Sequence, residues 1–132
     1  MSKEELVKLA IEARKLSYSP YSHFAVGAAI CCKDGKIFKG ANVENSSFPV
    51  SNCAERNAIF HAMMNGKRKD DFVSLAIVAD CDRPCSPCGA CRQVLSELFP
   101  KSAPIYLANL NGEIKETTID ELLPYAFEGD DL

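Results

Sequence analysis

Cys53-Ala54-Glu55 and, further along, Pro87-Cys88-Gly89-Ala90-Cys91 put three thiols and one carboxyl into a pattern with chemical meaning. Thiolates are ligands for Zn2+; a catalytic zinc keeps three protein ligands and leaves the fourth position for water, whereas a structural zinc is closed by four. Glu55 favours the catalytic arrangement. Two residues after Cys53, its carboxyl can lean over an open position and carry protons, work that a closed site does not offer. Two other readings of these residues remain open at this point. Cys85 could complete a four-thiolate structural site with Cys53, Cys88 and Cys91. Alternatively, Cys88-Gly-Ala-Cys91 at the start of a helix imitates a redox dithiol activated by a helix N-terminus, although that leaves Cys53 and Glu55 without a role.

Three thiolates on Zn2+ sum to a charge of −1, which makes the metal a poorer acid than a three-histidine site would be. Two helix N-termini would each contribute roughly half a positive charge, and Arg56 and Arg92 follow the sulfur-bearing residues closely enough to reach them. Arg56 is the expected thiolate partner, because its rigid fork can donate to two sulfurs and draw off electron density. The bland alternative for Arg56 is an exposed ion pair.

The elements that must position these groups follow from spacing. Ser2-x-x-Glu5 is a capping box, with Leu6, Leu9, Ala10, Ala13 and Leu16 at helical intervals behind it. Phe24 to Cys32 is an apolar strand, Asp34-Gly35 a hairpin turn, and Ile37 to Val43 the partner strand. The second helix starts near Asn52 or Cys53 and stops at Asn65-Gly66, which places Cys53 and Glu55 in a first turn. Phe72 to Ala79 is a buried strand, Cys88 to Leu98 a helix with Cys88 and Cys91 in its first turn, and Asn111-Gly112 joins two more strands, Pro104 to Ala108 and Glu113 to Thr117. A short helix near Ile119 to Leu123 completes the order αββαβαββα. Five strands with crossover helices predict an α/β sandwich, and ligands in such sheets gather outside the carboxyl ends of strands, where both sulfur-bearing helices begin.

Composition limits the classes of function. At 132 residues, 47% hydrophobic and 25% charged, the chain predicts one domain over residues 1–132 with an ordinary globular balance. The formal charge of −3 and the lone basic cluster Lys67-Arg68-Lys69 argue against a nucleic-acid partner, which needs many phosphate-neutralising cations on one face. No apolar run reaches the roughly 20 residues of a membrane span, and the N-terminus has no signal-peptide core, so no membrane partner and a cytoplasmic location are expected. Seven cysteines with the Cys85-x-x-Cys88-x-x-Cys91 spacing favour reduced thiols and metal over a disulfide framework. Cys31 and Cys32 are expected as core or interface thiols, and His23 as an exposed residue with no ligand partner.

The paired signature, a first ligand followed by x-Glu and then Pro-Cys-x-x-Cys, is that of the zinc deaminases. Together with Phe24-Ala25-Val26-Gly27-Ala28-Ala29, Asn42-Val43-Glu44-Asn45 and Cys53-Ala54-Glu55-Arg56, the run Pro87 to Leu95 makes the chain from about Leu6 to Phe127 resemble the small cytidine deaminases. That resemblance implies a three-layer α/β/α sandwich with a mixed five-stranded sheet. It implies one Zn2+ per subunit on Cys53, Cys88 and Cys91, with Glu55 as the catalytic proton shuttle while zinc hydroxide attacks C4 of the ring, and Arg56 behind the sulfurs. It further implies a nucleoside substrate, cytidine or 2′-deoxycytidine, held by Phe24, Asn42, Glu44 and Ala54 and by Phe127 reaching in from a neighbouring subunit, in a homotetramer with sites at subunit interfaces that serves pyrimidine salvage. A carboxylate at Glu44 would repel a nearby phosphate and so select a free hydroxyl. The runner-up is a related aminopyrimidine nucleoside deaminase of the blasticidin S type. Phe48 stands where such sequences often carry tyrosine, which removes one hydroxyl contact.

Overall fold

The computed structural model describes residues 1–132. Helix α1 spans Lys3–Arg14, followed by strands β1 (Val26–Cys32) and β2 (Ile37–Ala41), helix α2 (Ala54–Met64), strand β3 (Phe72–Ala79) and helix α3 (Gly89–Leu98). Strands β4 (Ile105–Asn109) and β5 (Ile114–Thr117) and the short helix α4 (Ile119–Leu122) complete the chain, with single 3-10 turns at Phe48–Val50, Lys69–Asp71 and Gly129–Asp131. The capping box forms as expected: the Glu5 N–H donates to Ser2 Oγ and the Ser2 N–H to the Glu5 carboxylate, each at 3.2 Å. Gly35 and Gly112 take φ of 87° and 90° at the two hairpin turns, the left-handed conformation that Asp-Gly and Asn-Gly pairs supply.

The sheet order is β2-β1-β3-β4-β5. Strand β1 runs antiparallel to both β2 and β3, so β2 and β3 point the same way. Their carboxyl ends therefore lie at one edge of the sheet, and the helices that follow them, α2 and α3, start there. β3 and β4 are parallel and joined through α3, while β5 returns antiparallel to β4, which makes the sheet mixed.

Alternation along the strands separates the two faces. Ala29, Cys31, Ala76, Val78 and Ala108 face α1, packing with Leu6, Val7 and Ala10. Ala28, Ile30, Leu75, Ile77, Ile105 and Leu107 face the other way, against Ala58, Ile59 and Ala62 of α2 and Leu95 of α3. This is the expected three-layer α/β/α sandwich. Small residues let the layers approach closely: a Cβ on Gly40 would lie 2.4 Å from both Ala54 O and Ala58 N, and one on Gly27 2.1 Å from Ala10 O. Gly40 thus lets the first turn of α2 rest on β2. No helix is long and apolar enough to cross a membrane.

Candidate metal centre and active site

Cys53 and Cys88 are the N-cap residues of α2 and α3 rather than members of their first turns. A cap residue keeps extended backbone, so each sulfur can project beyond the helix end into the field of the unpaired N–H groups. Cys91 sits within the first turn of α3 and is buried. The three sulfurs form one group, with Cys53 and Cys88 Sγ 3.8 Å apart and Cys88 and Cys91 Sγ 3.5 Å apart. A tetrahedron built on Zn–S bonds of about 2.3 Å has edges of roughly 3.8 Å. The sulfurs are therefore spaced to hold a zinc ion.

Cys85 does not belong to this group. Its sulfur packs with the core outside that group, and burial pushes its thiol up to about 12. A redox pair limited to Cys88 and Cys91 fits no better, because Cys53 stands in the same cluster. Arg56 reaches one sulfur rather than the two its fork could serve, its Nη2 donating to Cys53 Sγ at 3.3 Å. The neighbouring Cys91 sulfur, together with this guanidinium, brings the Cys53 thiol down to about 5, while sharing that contact and burial push Cys91 up. Arg56 Nε is buried without a partner, a further donor on the same guanidinium. Arg92, by contrast, turns away from the sulfurs and bonds to Ser86, Pro87 and Leu122.

Glu55 is 4% exposed in the first turn of α2, and burial pushes its carboxyl up to about 7. It opens onto a cavity of about 290 Å3 together with Phe24, Asn42, Glu44, Cys53, Ala54 and Cys88. Seven predicted site residues thus share one cavity, at the small end of the range for small-molecule sites. Ser22, Val26, Cys85 and Ser86 also line it, and nothing in the sequence around the two serines signals such a role. Phe127 lies elsewhere on this chain, beside Lys101 and Glu128, with its carbonyl accepting from Gln93 Nε2 at 3.0 Å.

Asn42 and Glu44 also organise the cavity wall. Asn42 Oδ1 accepts from the Val26 N–H at 2.9 Å and from Ser17 Oγ, and Nδ2 donates to Phe24 O at 2.8 Å. Asn42 therefore continues the β1 pairing sideways where β2 ends, two residues before the expected Val43. Glu44 accepts from the N–H groups of Tyr21 and Ser22 and from Ser22 Oγ, and that hydroxyl, above all, holds its carboxyl below the usual range. His23, in the same loop, is exposed with φ of 58°. Phe48 is exposed and packs edge-on against Tyr21, with ring centroids 6.2 Å apart.

Residues 1–107 match the family model for the cytidine and deoxycytidylate deaminase zinc-binding region. A cytidine deaminase from Halalkalibacterium halodurans is 52% identical over the whole chain and 98% of its own length. The chain belongs to the cytidine deaminase family. A crystal structure of the cytidine deaminase from Burkholderia pseudomallei superposes with a TM-score of 0.94 at 45% identity, covering 96% of this chain and all of that one. A blasticidin-S deaminase from Bacillus cereus is more distant within the same family, 36% identical over 93% of this chain and 90% of its own length.

Proposed function

We propose that this chain is a zinc-dependent hydrolase that converts cytidine and 2′-deoxycytidine to uridine and 2′-deoxyuridine with release of ammonia. The observation that carries this reading is that one cavity is lined by the buried Glu55, by Cys53 and Cys88 of the three-sulfur group, and by Asn42 and Glu44. Zinc held by Cys53, Cys88 and Cys91 would supply the Lewis acid that makes water nucleophilic near neutral pH. Glu55 takes one proton from the attacking water and passes it to N3 of the pyrimidine, then takes the second from the same oxygen once it is bonded to C4 and passes it to the 4-amino nitrogen, so that the C4–N bond breaks and ammonia leaves. A carboxyl poised near 7 can both accept and give protons at working pH. Arg56 keeps electron density off the ring of sulfurs.

Phe24 and Ala54 flank the base, while Glu44 accepts from a ribose hydroxyl with lone pairs that its loop leaves free. Asn42 Nδ2 has a second N–H to offer after Phe24 O has taken the first. An ionised Glu44 repels a phosphate, which restricts the site to nucleosides. The exposed Tyr21 and Val43, chain neighbours of Ser22, Asn42 and Glu44, and Phe48 packed on Tyr21 support an assembly, the homotetramer, in which neighbouring copies cover this face and deliver Phe127 to it. A cytoplasmic role in pyrimidine salvage completes the reading, on the strength of the family.

Ultraviolet absorbance of cytidine incubated with zinc-loaded protein tests the proposal. Conversion to uridine with stoichiometric ammonia is expected. Ammonia from blasticidin S but none from cytidine would overturn it in favour of the runner-up, which the Bacillus cereus relative represents.

A further inference from the structure

We propose that Arg92 is the positioning residue for the Cys88 side of the metal centre, an inference that rests on the zinc site proposed above and deepens it. Its guanidinium makes three bonds in three directions: Nε donates to Pro87 O at 2.9 Å, Nη2 to Ser86 Oγ at 2.7 Å and Nη1 to Leu122 O at 2.7 Å. All three acceptors are uncharged, and Arg92 takes part in none of the ion pairs, which join Lys39 to Glu12, Lys67 to Asp34 and Lys101 to Glu128. The side chain is therefore a clamp rather than a solvated charge.

The clamped segment needs one. Residues 80–88 run from the end of β3 to α3 without regular structure. Past the Cys85 N–H, which donates to Ala108 O, the backbone is next tied down where Cys88 O accepts from the Arg92 N–H to open the helix. Pro84 and Pro87 have no N–H with which to add to this. Cys53 is braced by Arg56, and Cys91 is buried within α3, but Cys88 is exposed at the end of this segment. Arg92 holds the residues immediately before it against α3 and the end of α4. Ser86 and Cys88 both line the active-site cavity, so the same clamp sets one of its walls. Groups that orient metal ligands from behind typically govern affinity by 10–100-fold.

Equilibrium competition for Zn2+ against a chromogenic chelator is the direct test, on Arg92→Gln, Arg92→Lys and Ser86→Ala. The glutamine variant should bind zinc at least about tenfold more weakly and change the visible spectrum of the Co2+-loaded protein. Lysine should fail to rescue, because one ammonium cannot span three divergent acceptors. Ser86→Ala, which removes a single acceptor, should shift affinity the same way by less, and should lower kcat for cytidine more than it raises KM. If Arg92→Gln does not fold, the other two variants carry the test. Wild-type zinc affinity and an unchanged cobalt spectrum in the folded variants, even with a lowered melting temperature, would reduce Arg92 to ordinary packing and overturn the inference. Full rescue by lysine would overturn it too. A wild-type chain that took up no zinc would overturn the metal centre itself, a result distinct from either of these.

Discussion

The Glu55 carboxyl gives up hydration to stand over the sulfurs, and the penalty is legible in its proton affinity. Burial holds the folded group near 7, against an ordinary value near 4.5. A carboxyl raised in this way contributes its full stability below the unfolded value and loses it as pH rises through the folded one. Replacing Glu55 by glutamine should therefore stabilise the zinc-free protein, slightly near pH 5 and by a margin that grows toward pH 8, approaching on the order of 3 kcal/mol. Urea denaturation of the two apoproteins at several pH values checks this; a difference independent of pH would contradict it. The same substitution should remove activity, since a positioned proton shuttle contributes roughly 10²–10⁴-fold. Stability and function pull in opposite directions at this one side chain.

At the scale of elements, the site depends on two helix ends brought to one sheet edge, and Gly40 marks where α2 touches down. An alanine there would drive its Cβ into backbone atoms of Ala54 and Ala58 that have no rotamer with which to yield. Gly40→Ala should destabilise by at least about 2 kcal/mol and weaken zinc binding by displacing the Cys53 cap. Thermal melting with a parallel zinc titration measures both, and a wild-type melting temperature would refute the contact. Much of this architecture was open to reading from the chain: helix and strand periods, the Asp34-Gly35 and Asn111-Gly112 turns, and sulfurs at both helix starts depend on local chemistry alone. What depends on tertiary approach was not. Nothing local distinguishes Arg56, which reaches a sulfur, from Arg92, which turns back on its own loop; both follow a ligand closely. Ser22 on Glu44 and Ser86 on the cavity wall are serines in irregular segments, and only the fold gives them partners. Cys85 keeps the spacing of a ligand, yet its thiol packs in the core.

At the scale of the whole molecule, the proposed homotetramer would build each site from more than one copy of the chain. Phe127 is 57% exposed and does not line the cavity of its own chain, which suits a residue that serves a neighbour. Sedimentation should give four times the 14.4 kDa chain mass. Glu55→Ala and Phe127→Ala, each impaired alone, should recover activity when unfolded together and reassembled, because some hybrid sites then combine an intact Glu55 with an intact partner Phe127. No recovery in verified hybrids would place Phe127 outside the site. Beneath all of this lies the claim that three sulfurs, and no fourth, grip the metal. X-ray absorption at the zinc edge of the resting protein measures it most directly. The expected shell is three sulfurs at about 2.3 Å and one lighter oxygen or nitrogen neighbour at about 2.0 Å; a shell of four sulfurs would close the centre and leave it no chemistry to perform.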